Sequence, residues 1–126
     1  MTDAELEQQL LASWEDVHKM GQLTLWIMLA LKDGPKHMAQ IRQYVCVLTN
    51  EATKPEEQSL YRSLRRYCQA EMIDFTQEPS KSGPEKKVYK LTPLGARVLS
   101  MFTERNITPI YYSETVKDLI NRKEAS

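Results

Sequence analysis

Apolar residues recur at helical intervals along most of this chain. Leu6, Leu10, Trp14 and Val17 follow at spacings of four, four and three, which places them on one helical face, with Glu, Gln and Ser opposite. Asp3 suits the N-cap of this first helix, and Gly21 suits a break at its end. Residues 22–32 are apolar almost all round and predict a central buried helix, stopped by Asp33-Gly34-Pro35. A third helix is expected over 37–48, with Met38, Ile41, Tyr44 or Val45, and Leu48 inward. After a polar connector, residues 56–70 form an amphipathic helix. Leu60, Leu64, Tyr67 and Cys68 fall on one side of it, and Gln58, Arg62, Arg65 and Gln69 on the other.

The period then changes to two. Residues 72–77 and 87–91 read as strands, with Pro79, Ser80, Ser82, Gly83 and Pro84 in the loop between them. Thr92-Pro93 is an N-cap followed by a proline at the first helical position, and Leu94, Val98, Met101 and Phe102 form the apolar face of the helix that follows. Thr108-Pro109 is expected to end any helix. Ser113 is expected to cap a last one, whose stripe is Val116, Leu119 and Ile120. The order predicts a mainly α fold with a small β-hairpin wing: a winged helix-turn-helix with extra N- and C-terminal helices. Residues 1–21 form an N-terminal helix, 22–104 the winged core, and 105–126 a C-terminal linker and helix.

In such a fold an arginine-bearing helix can enter a DNA major groove while the ribbon lies along the neighbouring backbone. Arg62, Arg65 and Arg66 are the candidates for reading bases and holding phosphate, with Gln58, Ser59 and Tyr61 beside them. Lys81, Lys86 and Lys87 flank the wing tip and suit phosphate. The blander alternatives are a solvated helix face and a lysine-rich edge that discourages strand addition.

Charge adds to this only mildly. The chain has 17 basic and 17 acidic residues, but residues 1–22 carry a net −4 and residues 54–90 a net +2. Cys46 and Cys68 sit in apolar-periodic segments, as reduced cysteines in a cytoplasmic protein would. The acidic N-terminus does not resemble a signal peptide, and the apolar run 23–31 is too short to span a bilayer, so no membrane partner is expected. His18 and His37 share no metal-ligand spacing with the cysteines, and no phosphate-binding glycine loop or nucleophile elbow is present. The reading is therefore not an enzyme, with no cofactor and no metal.

Residues 22–102 resemble the PadR family of bacterial transcriptional regulators. The likeness rests on Ser59-Leu60-Tyr61, Leu64-Arg65-Arg66 and Met72-Ile73, and on Lys86-Lys87, Tyr89 and Leu91-Thr92-Pro93-Leu94-Gly95. The apolar run closed by Gly34-Pro35 is similar to the family's first core helix. The chain departs from the family pattern at His37-Met38-Ala39, where His-Gly-Tyr is usual, and at Glu71, where glycine usually precedes the wing. The acidic first helix is an addition that the winged core does not require.

The resemblance implies a homodimeric regulator, a repressor, on an inverted-repeat operator in double-stranded DNA. Leu6, Leu10, Trp14 and Val17, with Val116, Leu119 and Ile120, are expected to form the dimer interface, because they exceed what one small core can cover. Drug-sensing members line a pore between subunits with aromatic residues. A small-molecule effector site would on that pattern lie near Trp14 and Trp26, although core packing is the more ordinary fate of both. Two alternatives stay open: a winged-helix module that binds protein, and a small-molecule-sensing dimer with weak DNA binding.

Overall fold

The computed structural model describes residues 1–123; the last three positions of the expected C-terminal segment, 124–126, lie outside the described residues. Helix α1 is one uninterrupted helix, Asp3–Asp33. Its N-cap is Thr2, not Asp3: the Thr2 hydroxyl accepts from the Glu5 amide at 3.2 Å. No break occurs at Gly21. A glycine inside a helix costs only about 1 kcal/mol, and the Leu, Met, Gln and Lys residues around it are good helix formers. What changes near Gly21 is burial. The residues before it are mostly exposed, whereas Ile27, Met28, Ala30 and Leu31 are buried.

Gly34 ends α1 as expected, its N–H bonding to the Leu31 carbonyl at 3.1 Å. Lys36 completes this end. Its ammonium donates to the Ala30 carbonyl and to Asp33, both at 2.8 Å, where the helix dipole favours a cation. Lys36–His37 then form a short strand, β1, that the sequence did not suggest; two residues show no period. His37 is not inside the next helix but caps it. Helix α2 spans Met38–Leu48, and His37 and Gln40 form a reciprocal capping box. Leu48, expected inward, is exposed because it closes the last turn of α2. The connector to α3 includes Asn50 and Glu51 at positive φ, and Arg42 Nε reaches across to the Pro55 carbonyl at 2.8 Å.

Helix α3 is Glu57–Gln69, and the wing is β2 (Ile73–Ser80) with β3 (Gly83–Leu91). Both strands run further than their alternation suggested, so the turn is only Lys81 and Ser82. Pro79 and Pro84 do not stop the ribbon, because they fall in an irregular step between the Glu78↔Lys86 and Ser80↔Gly83 pairs. With β1 alongside β3, the sheet has three antiparallel strands in the order β1-β3-β2.

Helix α4 (Pro93–Asn106) is capped by Thr92. It is turned from the expected orientation. Gly95 and Leu99 are buried while Leu94, Met101 and Phe102 are exposed, because Gly95 is drawn against the Met72 backbone. Helix α4 ends just before Thr108-Pro109, as expected, but that pair also opens a short helix, α5 (Thr108–Tyr111); a proline in a first turn has no amide partner to lose. Helix α6 is Glu114–Asn121, capped by Ser113 as expected.

The core brings together α1 (Ile27, Met28, Leu31), α2 (Ile41, Val45), α3 (Leu60, Leu64, Tyr67), the wing base (Ile73, Tyr89) and Leu99 of α4. The Thr24 and Tyr67 hydroxyls, 2.6 Å apart, tie α1 to α3. The architecture is the expected mainly α winged helix-turn-helix, with a third short strand added.

Candidate nucleic-acid interface

Helix α3 is held by its inner face. Leu60 and Leu64 are fully buried, and Tyr67 nearly so. The helical period then turns Gln58, Tyr61, Arg62, Arg65 and Arg66 outward, and all five are exposed. Ser59 is half-buried, and its hydroxyl accepts from Arg62 Nη2 at 3.3 Å, steadying that guanidinium along the helix. Arg66 lies on the flank away from Tyr61, with its guanidinium 5.4 Å from the Tyr67 ring. Among the described residues, no carboxylate lies within ion-pair distance of Arg62, Arg65, Arg66, Lys81, Lys86 or Lys87. None of these charges is therefore neutralised by an ion pair within the described chain.

The wing stands beside this face. Lys81 is at its turn and Lys86 on its outgoing strand, both exposed. Lys87 differs. It is half-buried, with its ammonium 4.7 Å from the Phe75 ring centroid and 5.6 Å from that of Tyr61. Tyr61 and Met38 line two neighbouring grooves. One is lined also by Glu57, Gln58 and Arg62, and the other also by His37, Ala39, Glu85, Lys86 and Lys87.

The second groove shows what the sequence reading missed: the N-terminus of α2 belongs to this surface. His37 Nδ1 accepts from the Gln40 amide at 3.3 Å, and Gln40 Oε1 accepts from the His37 amide at 3.0 Å. Burial, and after it the positive charge of Lys86, push the His37 imidazole below its ordinary pKa. The glutamine three residues after His37 was the available signal for the cap.

The remaining candidates lie elsewhere. Leu6, Leu10, Trp14 and Val17 are exposed along the projecting half of α1, together with Leu11 and Met20. On α6, Leu119 and Ile120 are exposed and Val116 is half-buried. Trp14 and Trp26 do not meet within the chain. They stand twelve residues apart on α1, about 18 Å along its axis, and Trp26 packs edge-on to His18 at 6.3 Å between ring centroids. Cys46 and Cys68 are free thiols, both half-buried. Among the described residues no cluster of His, Cys, Asp or Glu could hold a metal, and no described helix is long and apolar enough to cross a membrane.

A helix-turn-helix with a cationic outer helix and an adjoining wing defines the class of winged-helix proteins. The model of the Transcriptional regulator PadR-like family matches residues 27–101, more than half of the chain, and the chain belongs to that family. It is a family of transcriptional regulators, not of enzymes. No curated protein sequence matches the chain.

Among solved structures, the chain is similar to a PadR family transcriptional regulator from Eggerthella lenta DSM 2243. The TM-score is 0.68 at 19% identity, with 94% of this chain and 99% of that one covered. It is also similar to a PadR-like transcriptional regulator from Bacillus cereus strain ATCC 14579, with a TM-score of 0.65 at 22% identity over 83% and 97% of the two chains. A third likeness is to Bacillus subtilis PadR in complex with operator DNA, with a TM-score of 0.54 at 18% identity. It covers 82% of this chain and 49% of that one.

Proposed function

We propose that this regulator binds double-stranded DNA as a homodimer and represses transcription by occupying an inverted repeat. The observation that carries the reading is the exposed row of Gln58, Arg62 and Arg65 on α3, free of intramolecular carboxylates among the described residues and flanked by a cationic wing. Arginine can donate two parallel hydrogen bonds to guanine, so Arg62 and Arg65 choose sequence. Ser59, Tyr61, Arg66, Lys81, Lys86 and the N-terminus of α2 meet phosphate and set the register. That a Bacillus subtilis relative of the same fold has been seen on operator DNA favours this use of the surface.

The dimer is supported by what the single chain leaves uncovered. Leu6, Leu10, Trp14, Val17, Leu119 and Ile120 are at least 46% exposed. Apolar stripes of that extent on two helices call for a partner, and a second copy supplies the same surfaces symmetrically. Twofold symmetry would set two α3 helices on half-sites about 34 Å apart. Occupation of a promoter in this way excludes polymerase, which is the basis for repression.

A band-shift titration against DNA upstream of the protein's own coding sequence, at two salt concentrations, tests the reading. Binding that weakens steeply with salt and prefers this DNA to scrambled duplex is expected. Absence of binding at both salts would leave a protein-binding winged helix as the better account.

A further inference from the structure

The position of Lys87 sets it apart from the other wing cations. Strand alternation puts Phe75, Lys87 and Tyr89 on the face of the wing turned toward α3, while Lys86 points the other way. Phe75 pairs with Tyr89, their rings 5.8 Å apart, and Lys87 lies diagonally across from Phe75. Its ammonium stands within cation–π range of two rings, Phe75 on the wing and Tyr61 on α3. Together with Arg65 and Cys68, these side chains line a small cleft between helix and wing. No carboxylate among the described residues competes for the ammonium.

We infer that Lys87 is a positioning residue: its ammonium, held between Tyr61 and Phe75, fixes the wing's angle against the recognition helix. A two-stranded ribbon is a weak unit by itself and needs packing to hold one orientation. The wing base has that packing, through Ile73 and Tyr89 in the core. Toward the tip, Glu78, Pro79 and residues 81–86 are exposed. Lys87 lies between these two zones, with its ammonium against the Tyr61 ring of α3. The alkyl stem covers apolar ring surface and the cation joins the two rings electrostatically. The consequence for DNA, which rests on the function proposed above, is that Lys87 aligns Lys81 and Lys86 with the register set by Arg62 and Arg65. It does this without neutralising a phosphate.

Two measurements test this. The first uses the free protein. In a carbon–proton correlation spectrum, the Lys87 ε-methylene protons should lie well upfield of the other lysines because of the two rings. Tyr61→Leu should move them back toward the common position, and Tyr61→Phe should not.

The second uses duplex DNA. Lys87→Met keeps the stem and loses the cation. It should reduce affinity for the specific duplex about 5-fold, the equivalent of one or two cation–π contacts, with less effect on scrambled duplex and no change in salt slope. Lys87→Arg should restore affinity, because a guanidinium stacks on the same rings. Lys86→Met should instead lower the salt slope by about 0.9, the loss of one phosphate contact. An ε-methylene at the ordinary lysine shift, or a Lys87→Met slope that falls as the Lys86→Met slope does, overturns the inference. The spectrum needs no DNA, so a protein that binds no DNA refutes the preceding section and leaves this test standing.

Discussion

A β-carbon built on Gly95 would lie 1.9 Å from the carbonyl oxygen of Met72. The start of α4 and the start of the wing are therefore in direct backbone contact. Thr92 binds the same place: its N–H bonds to the Met72 carbonyl at 3.1 Å, its hydroxyl donates to the Glu71 carbonyl at 2.7 Å, and that hydroxyl accepts from the Gly95 amide at 3.0 Å. This clamp gives physical content to the run Leu91-Thr92-Pro93-Leu94-Gly95.

Gly95→Ala should accordingly be costly for a one-carbon change. The obstacle is backbone, which cannot rotate away, so α4 must lift from the wing. A loss of about 3 kcal/mol is expected, the upper part of the range for overpacking, and Thr92→Val should cost about 1 kcal/mol as a lost cap. Urea unfolding followed by circular dichroism checks both; a Gly95→Ala protein as stable as the parent contradicts the clamp.

Glu71 holds φ 63, a left-handed backbone that a side chain disfavours by roughly 1–2 kcal/mol. Glycine has no such penalty but loses about 0.5–1 kcal/mol more chain entropy on folding. Glu71→Gly should therefore stabilise the protein, by about 0.5–1 kcal/mol on balance. The urea midpoint should rise with an unchanged slope, and a lower midpoint would contradict the strain.

Acid should weaken the fold through His37. As a cap its Nδ1 must be unprotonated, and burial, then Lys86, hold its pKa below 6.5. The unfolded chain binds this proton more readily, so the stabilisation is complete above pH 6.5 and is lost as pH falls from there through the folded value. Denaturation midpoints between pH 7.5 and 5 should decline, and His37→Ser, which caps without titrating, should remove that part of the decline. An identical pH profile in the variant would exclude His37 as its source.

The stripes on α1 and α6 lie outside the core, so charging them should change assembly and leave the fold intact. Trp14→Glu combined with Leu119→Glu should convert a dimer to a monomer by sedimentation, with the helical signal retained. A parent protein that sediments as a monomer at micromolar concentration would remove the basis for a dimeric reader.

Where burial follows a single period, the sequence was informative. Leu60, Leu64 and Tyr67 against Arg62 and Arg65 defined α3 and its outer face, and Thr92 and Ser113 marked helix starts correctly. Other features depend on contacts between distant residues. The continuity of α1 through Gly21 reflects many favourable neighbours outweighing one poor one. Strand β1 exists because Lys36 and His37 reach Tyr89 and Val88, a pairing that two residues cannot announce. The place of Lys87 depends on the angle between wing and helix, so the sequence alone does not distinguish the basic pair at 86–87, of which Lys86 is exposed and Lys87 half-buried.

The central claim is that α3 reads sequence, and one comparison tests it most directly: the specific-to-scrambled affinity ratio of the parent and Arg65→Ala, measured by anisotropy on labelled duplexes at matched salt. Loss of a bidentate arginine–guanine pair removes about 1–3 kcal/mol of discrimination, so the ratio should fall by about 5- to 150-fold while binding to scrambled duplex changes little. A ratio that stays the same, with both affinities reduced alike, would mean that Arg65 holds backbone only and that α3 is not the reading element.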